Sequence, residues 1–305
     1  MSEIQEPIAP KHAPVMLREV LEVLDLKPGQ TAVDGTLGLA GHAKEFAQAV
    51  SPGGTVLGID WDQSMLGLAQ ERLSTIQGVK FLFAHSDYRN ISDIVQEFDL
   101  KPNGILLDLG LNSAQIDDPT RGISFSKEGP LDMRMDRSKG EPASALLNRL
   151  GPNEIENILF EYGDERWSRA IAKKIVERRR EHPLRTTTDL VDAVMAAIPA
   201  GARDKRIHPA TRTFQAVRIA VNEELEGIDY TLIGAAESLA VGGTLAVLSY
   251  HSGEDRQAKH AFRELASSGR FEDLFKKPKQ PTEQEILKNP RSRSAKLRAI
   301  RRILL

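Results

Sequence analysis

Thr31-Ala-Val-Asp-Gly-Thr-Leu-Gly-Leu-Ala-Gly-His42 decides the fold. A short apolar run ends in an acid, a glycine-rich turn follows, and residues 43–50 then carry a helical pattern. The same unit recurs on the C-terminal side. Thr55-Val-Leu-Gly-Ile-Asp60 is a second apolar run ending in an acid, with helical spacing over 64–76. Residues 79–87 form a third run ending in Asp87, with a helix over 91–98, and Gly104-Ile-Leu-Leu-Asp108 is a fourth. Strand and helix alternating every ~25–30 residues predict βαβ units, hence a doubly wound, Rossmann-like α/β fold with a parallel sheet. On the N-terminal side, Val15, Leu17, Val20, Leu21 and Leu24 fall at helical spacing, and Pro28-Gly29 stops that helix.

The alternation breaks after Gly110. Residues 112–140 are rich in Gly, Pro, Asp and Ser, and 151–200 are helical without strands: 155–162, 168–180, and 189–198 with Thr188 as N-cap. A helix over 211–225 and another over 230–239 lead to Gly242-Gly243 and the buried strand Thr244-Leu-Ala-Val-Leu-Ser-Tyr250. Residues 271–293 have few apolar positions and read as loop. The expected organisation is therefore a discontinuous ligand-binding domain, 1–116 with 210–305, and an inserted helical domain, 117–209.

The chain has 305 residues, no cysteine and a net charge of −2. Disulfides, thiolate zinc sites and cysteine nucleophiles are excluded, and a cytoplasmic protein is expected. The N-terminus is acidic with no apolar stretch of signal-peptide type, and no run reaches the ~18 apolar residues of a membrane span. Lys288, Arg291, Arg293, Lys296, Arg298, Arg301 and Arg302 form a tail free of acids, which allows a phosphate-rich partner. The seven histidines show no metal-binding spacing, so no metal is expected.

Asp34, Asp60, Asp87 and Asp108 each end a strand. In an open parallel sheet the ligand crevice lies outside the carboxyl ends of the strands, so the four acids are expected to ring one crevice. The turn after Asp34 is spaced G-x-x-G-x-x-G, where a dinucleotide site wants G-x-G-x-x-G and a pyrophosphate at the helix N-terminus. An acid opening the loop repels pyrophosphate but suits a phosphate-free ligand with ammonium and sulfonium groups, S-adenosylmethionine. Asp60 is placed to accept the ribose hydroxyls, Asp87 and Tyr88 to meet the adenine, and Asp108 to stand where methyl donor and acceptor meet. His42 either closes the glycine loop or contacts the methionine end. Tyr250-His251-Ser252-Gly253-Glu254-Asp255-Arg256 follows a buried strand at the same sheet edge; it either caps a helix through Ser252 or, the favoured reading, lines the acceptor site with His251.

The sequence resembles the bacterial 16S ribosomal-RNA cytosine-N4 methyltransferases often called MraW. The resemblance spans nearly the whole chain and rests on His12-Ala-Pro-Val-Met-Leu17, the 34–42 loop, Leu107-Asp-Leu-Gly110, Gly129-Pro-Leu-Asp-Met-Arg-Met-Asp136, His208-Pro-Ala-Thr-Arg-Thr-Phe-Gln-Ala-Val-Arg218 and Asn289-Pro-Arg-Ser-Arg-Ser-Ala-Lys-Leu-Arg298. It implies a class I methyltransferase with Ala40, Gly41, His42, Asp60, Tyr88, Asp108 and Gln115 at the S-adenosylmethionine site. It also implies a helical substrate-recognition domain, and the small ribosomal subunit as partner. Two departures stand out. Leu111-Asn-Ser-Ala-Gln115 replaces the usual Val-Ser-Ser-Pro-Gln, and Tyr250-His-Ser-Gly-Glu-Asp-Arg256 replaces Phe-His-Ser-Leu-Glu-Asp-Arg.

The exocyclic N4 of cytosine is a poor nucleophile because its lone pair is delocalised into the ring. Positioning and a hydrogen-bond acceptor on the amino group are what catalysis requires. Asp108, Asn112 and, at the acceptor wall, His251 are the candidates. Phe125, Trp167, Phe214 and Tyr250 are candidate stacking partners for an unstacked base, and Arg134, Arg137, Arg212 and Arg218 for RNA phosphates. A DNA amino-methyltransferase, an NAD-dependent dehydrogenase and a non-catalytic RNA-binding assembly protein are the rival readings. The first is disfavoured because no Asp/Asn-Pro-Pro-aromatic turn is present.

Overall fold

The computed structural model describes residues 14–110, 118–204 and 207–304. The chain divides into two compact units, 1–110 with 227–305, and 111–226.

In the first unit, α1 (Leu17–Leu24) precedes β1 (Thr31–Asp34), α2 (Gly41–Val50), β2 (Gly54–Asp60), α3 (Gln63–Leu73), β3 (Val79–His85), α4 (Ile91–Glu97) and β4 (Gly104–Asp108). After the second unit the chain continues through α10 (Ile228–Ser238), β5 (Thr244–Ser249), α11 (Ser252–Ser267), β6 (Phe271–Asp273), α12 (Glu283–Lys288) and β7 (Lys296–Arg302). The sheet order is β3-β2-β1-β4-β5-β7-β6. The first five strands are parallel, and β7 runs antiparallel between β5 and β6. The fold is thus the doubly wound α/β class expected. Its order reverses between β1 and β4, where such sheets open a ligand crevice at the strands' carboxyl ends. Strands β4 and β5 are almost wholly buried because helices cover both faces, which accounts for their unbroken apolar runs. Phe46, Leu57, Ile59, Ile105, Leu106 and Leu107 are among the largest fully buried side chains of this unit.

The expectation of loop over 271–293 is corrected: β6 and α12 lie there, and the basic tail runs on into β7. Alternation along β7 puts Leu297 and Ala299 in the core, while its cations find partners within the fold. Asp255 takes Lys296 Nζ at 3.0 Å and Arg298 Nε at 2.7 Å, and Arg302 donates to the carbonyl of Leu239 at 2.8 Å. Much of the tail's charge is therefore spent holding the sheet edge.

The second unit comprises α5 (Ala143–Arg149), α6 (Pro152–Gly163), α7 (Ser168–Glu181), α8 (Thr187–Ala197) and α9 (Thr211–Asn222) around Leu147, Ile155, Leu159, Ile171, Leu190 and Phe214. Helix α9 packs on α6, with Gly163 under the Arg212 carbonyl, so this unit runs to residue 226, beyond the sequence boundary at 209. Helix α8 begins earlier than expected, because Thr186, not Thr188, is its cap. Thr186 Oγ1 accepts from Asp189 N–H at 3.2 Å and the Asp189 carboxylate accepts from Thr186 N–H at 2.9 Å, a reciprocal capping box. The 129–136 motif is knitted into the unit. Leu131 N–H donates to the Arg185 carbonyl (2.8 Å), Met133 N–H to the Arg121 carbonyl (2.9 Å), and Asn222 bridges Met135 N–H and the Met133 carbonyl.

Candidate active site

The site is built from the carboxyl ends of β1, β2 and β4 and the first turn of α2. Asp60, 8% exposed, accepts Gly38 N–H at 2.7 Å and Asp62 N–H at 2.9 Å, so it fixes the glycine loop while keeping lone pairs free. Asp34 is 1% exposed and accepts from Thr36 N–H at 3.2 Å and from the Ala43 N–H in the first turn of α2. It therefore organises the loop through these two amides. Thr36 Oγ1 in turn accepts Asp108 N–H at 2.8 Å, which ties the loop to the end of β4. Ala40 is the N-cap of α2, buried and in the left-handed region at φ 58, a strained position that places Gly41 against Pro14. Buried His42 has Nε2 3.0 Å from the Val15 carbonyl, so its ring pins the N-terminal segment beside the loop.

Other expected residues stand differently. Asp87 lies past the end of β3, where it caps the turn Tyr88–Asn90, and its carboxylate takes Arg89 N–H, Nε and Nη2 at 2.9, 2.9 and 2.7 Å. Tyr88, half-buried, opens that turn. Asn112 and Gln115 lie outside the described residues. His251, not Ser252, is the N-cap of α11. Its Nδ1 faces Glu254 N–H at 3.4 Å, and its Nε2 lies 3.1 Å from Glu254 Oε1 without the alignment of a hydrogen bond. Phe214 is core, edge-on to Phe125 at 5.0 Å. The four arginines expected to grip phosphate all have internal partners: Arg134 on Asp132, Arg137 on the Thr120 carbonyl, Arg212 on the Asp164 carbonyl and Arg218 on Glu224. Sequence reasoning missed Thr36, and it placed Glu254 only as a first-turn acid of a cap through Ser252. Glu254 was signalled by its place three residues after the cap, the spacing of a capping box.

Burial pushes Asp34 up to about 7, with Asp108 and Asp60 adding to the effect against the Thr36 and Ala43 amides. Burial also raises Asp60, and it raises Asp108 against the opposing pull of His42 and the Tyr250 hydroxyl. Burial lowers His42, with Asp108 pulling the other way. No lysine or arginine is a principal influence on any of the three carboxyls. Among the described residues three acids converge without a lysine or arginine as a main influence, an arrangement that favours a cationic ligand and disfavours a phosphate.

One stability prediction follows from Asp34. Its folded value, about 7, is above its ordinary 3.8, so its contribution is full below about 3.8 and is lost as pH rises through about 7. Asp34→Asn is expected to raise the melting temperature of the ligand-free protein at pH 8 and to raise it by clearly less at pH 5, which lies inside the window of loss. A thermal scan at the two pH values checks this; equal effects at both would contradict it.

A doubly wound sheet with an anionic crevice at its switch point defines a protein that binds a small nucleoside-type ligand at the strands' carboxyl ends. The family model described as MraW methylase family matches residues 9–303, and the chain belongs to that family. Among its relatives, "Ribosomal RNA small subunit methyltransferase H" of Syntrophobacter fumaroxidans is 42% identical over 306 residues, covering 95% of this chain and 96% of the relative. The protein of the same name from Pelobacter propionicus is 44% identical over 310 residues, covering 96% and 99%. No helix among the described residues is long and apolar enough to cross a membrane.

Proposed function

We propose that the protein methylates the exocyclic N4 amine of a cytidine in 16S ribosomal RNA, using S-adenosylmethionine. The observation that carries this reading is the uncompensated cluster of Asp34, Asp60 and Asp108. Its donor set fits a ligand with a ribose, an ammonium and a sulfonium and no phosphate. Asp60 is the acceptor for the ribose hydroxyls, Tyr88 the neighbour of the adenine, and the loop 38–42 the cradle for the methionine end. Gln115 joins these as a cofactor residue, and Asn112 stands by as an alternative acceptor. Asp87, committed to Arg89, shapes the adenine side from the turn it caps.

When bound, S-adenosylmethionine supplies its methyl group to N4 in line with the sulfur, and the sulfur keeps the bonding pair and departs as S-adenosylhomocysteine. Asp108 does the protein's part of the chemistry. Its carboxylate accepts a hydrogen bond from the amine, which draws the N4 lone pair out of conjugation. As the new N–C bond forms, the same carboxylate receives the proton lost from nitrogen and passes it to solvent. Its position is set through the Thr36 hydroxyl on its backbone and the Gly110 N–H, 3.3 Å from Oδ1. His251 supports this edge as the cap of α11. The helical unit is the substrate-recognition domain, and the target base is unstacked from its RNA to reach the crevice. The enzyme works in the cytoplasm on the small subunit or its RNA.

The test is transfer of labelled methyl from S-adenosylmethionine to 30S subunits, to free 16S RNA and to DNA. Label recovered as N4-methylcytidine from ribosomal RNA is expected. Label in DNA alone, or binding of NADH in place of S-adenosylmethionine, would overturn the reading.

A further inference from the structure

Tyr250, half-buried at the end of β5, has no part in the mechanism above. Strands β4 and β5 are parallel neighbours with Asp108 opposite Leu248, so Tyr250 emerges beside Asp108 just past the carboxyl end of the pair. Its ring lies on the backbone of Gly110: a Cβ there would come within 2.5 Å of Tyr250 Cε2 and 2.9 Å of Cζ, so only glycine admits the ring at that depth. The backbone of Tyr250 is fixed as well. Its N–H donates to Glu254 Oε2 at 2.7 Å, and Glu254 is itself 3% exposed. The ring end is thereby set against Gly110, whose N–H meets Asp108 Oδ1 at 3.3 Å, and the hydroxyl acts on the Asp108 carboxyl from that side.

We propose that Tyr250 is a positioning residue for methyl transfer, its hydroxyl donating to the Asp108 carboxylate and holding it as the hydrogen-bond acceptor of the site. This rests on the reading of Asp108 as the acceptor for the amine. The groups that face the pair are His42 from α2, Asp34 from the end of β1, and Glu254 from α11; Glu285 of α12 acts on the tyrosine side. Burial and these acids hold the Tyr250 hydroxyl well above its usual range, so it remains a donor throughout the working pH. Burial pushes Asp108 toward the protonated form, which cannot accept from an amine with the same strength, and the tyrosine opposes that push.

The experiment compares the full-length protein with Tyr250→Phe, Asp108→Asn and the double variant. S-adenosylmethionine binding is followed by calorimetry from pH 5 to 9, alongside kcat/KM for methyl transfer to 30S subunits. Tyr250→Phe is expected to move the acid limb of both profiles upward by about one pH unit, with activity recovering at high pH. In the Asp108→Asn background, where Asp34 titrates lower for want of the Asp108 charge, the tyrosine substitution is expected to move nothing further. Superimposable wild-type and Tyr250→Phe profiles would overturn the proposal. So would a loss of equal size at every pH, or a shift that persists without the Asp108 carboxylate. If the wild-type protein labels no ribosomal RNA, the substrate reading falls, and the binding profiles still decide the role of Tyr250.

Discussion

Asp108→Asn is expected to lower kcat/KM for methyl transfer to 30S subunits on the order of a thousandfold. The substitution keeps the shape of the side chain, and an amide oxygen still takes the Gly110 N–H. What it removes is the negative charge and the basic oxygen that accept from the amine. The backbone of residue 108 stays bonded to Thr36 Oγ1, so the loop and the strand end should hold their places. S-adenosylmethionine affinity should therefore change far less than the rate. Single-turnover transfer of labelled methyl separates the two quantities. A near wild-type rate would move the acceptor role away from Asp108, with Asn112 the next group to test.

The largest effect on stability is expected at Gly122, in the helical unit. Its φ is +64, and a side chain there would drive into the carbonyl oxygen of Pro130, with Asp132 N at 3.1 Å. The obstacle is backbone within the most specific motif of the helical unit, so no rotamer change relieves it. Gly122→Ala is expected to destabilise the second unit on the order of 4 kcal/mol, read from urea unfolding followed by the fluorescence of Trp167. Gly140 supplies the control. It has the same φ, +64, but open space around the added carbon, so Gly140→Ala should lose only about 1 kcal/mol. Similar losses at the two sites would show that backbone strain, not the collision with Pro130, governs this motif.

What could be read in the sequence depended on whether an element signals itself locally. Strands β1, β2, β4 and β5 are buried on both faces and so appear as apolar runs, each of the first three closed by an acid. Strand β7 was hidden because one of its faces carries Lys296, Arg298 and Arg302, whose partners, Asp255 and the carbonyl of Leu239, are remote in sequence. The boundary of the helical unit was misjudged for the same reason: α9 belongs where its apolar face packs, on α6, and periodicity does not say against what a face packs. The capping residues Thr186 and His251 were each displaced from their expected positions, since several polar residues stand near each helix start and only the reciprocal partner three residues on selects among them. At the site, strand-end spacing located Asp34, Asp60 and Asp108. It could not tell these from an acid, like Asp87, that is held by the arginine two residues away.

The central claim is that this chain places a methyl group on a cytosine amine of small-subunit RNA. Its most direct test is mass mapping of nuclease fragments of 16S RNA from cells that carry the protein and from cells that lack it. One cytidine-containing fragment is expected to be lighter by a single methyl group in the cells without it, with the missing modification identified as N4-methyl by nucleoside standards. Identical fragment masses in the two strains would contradict the account.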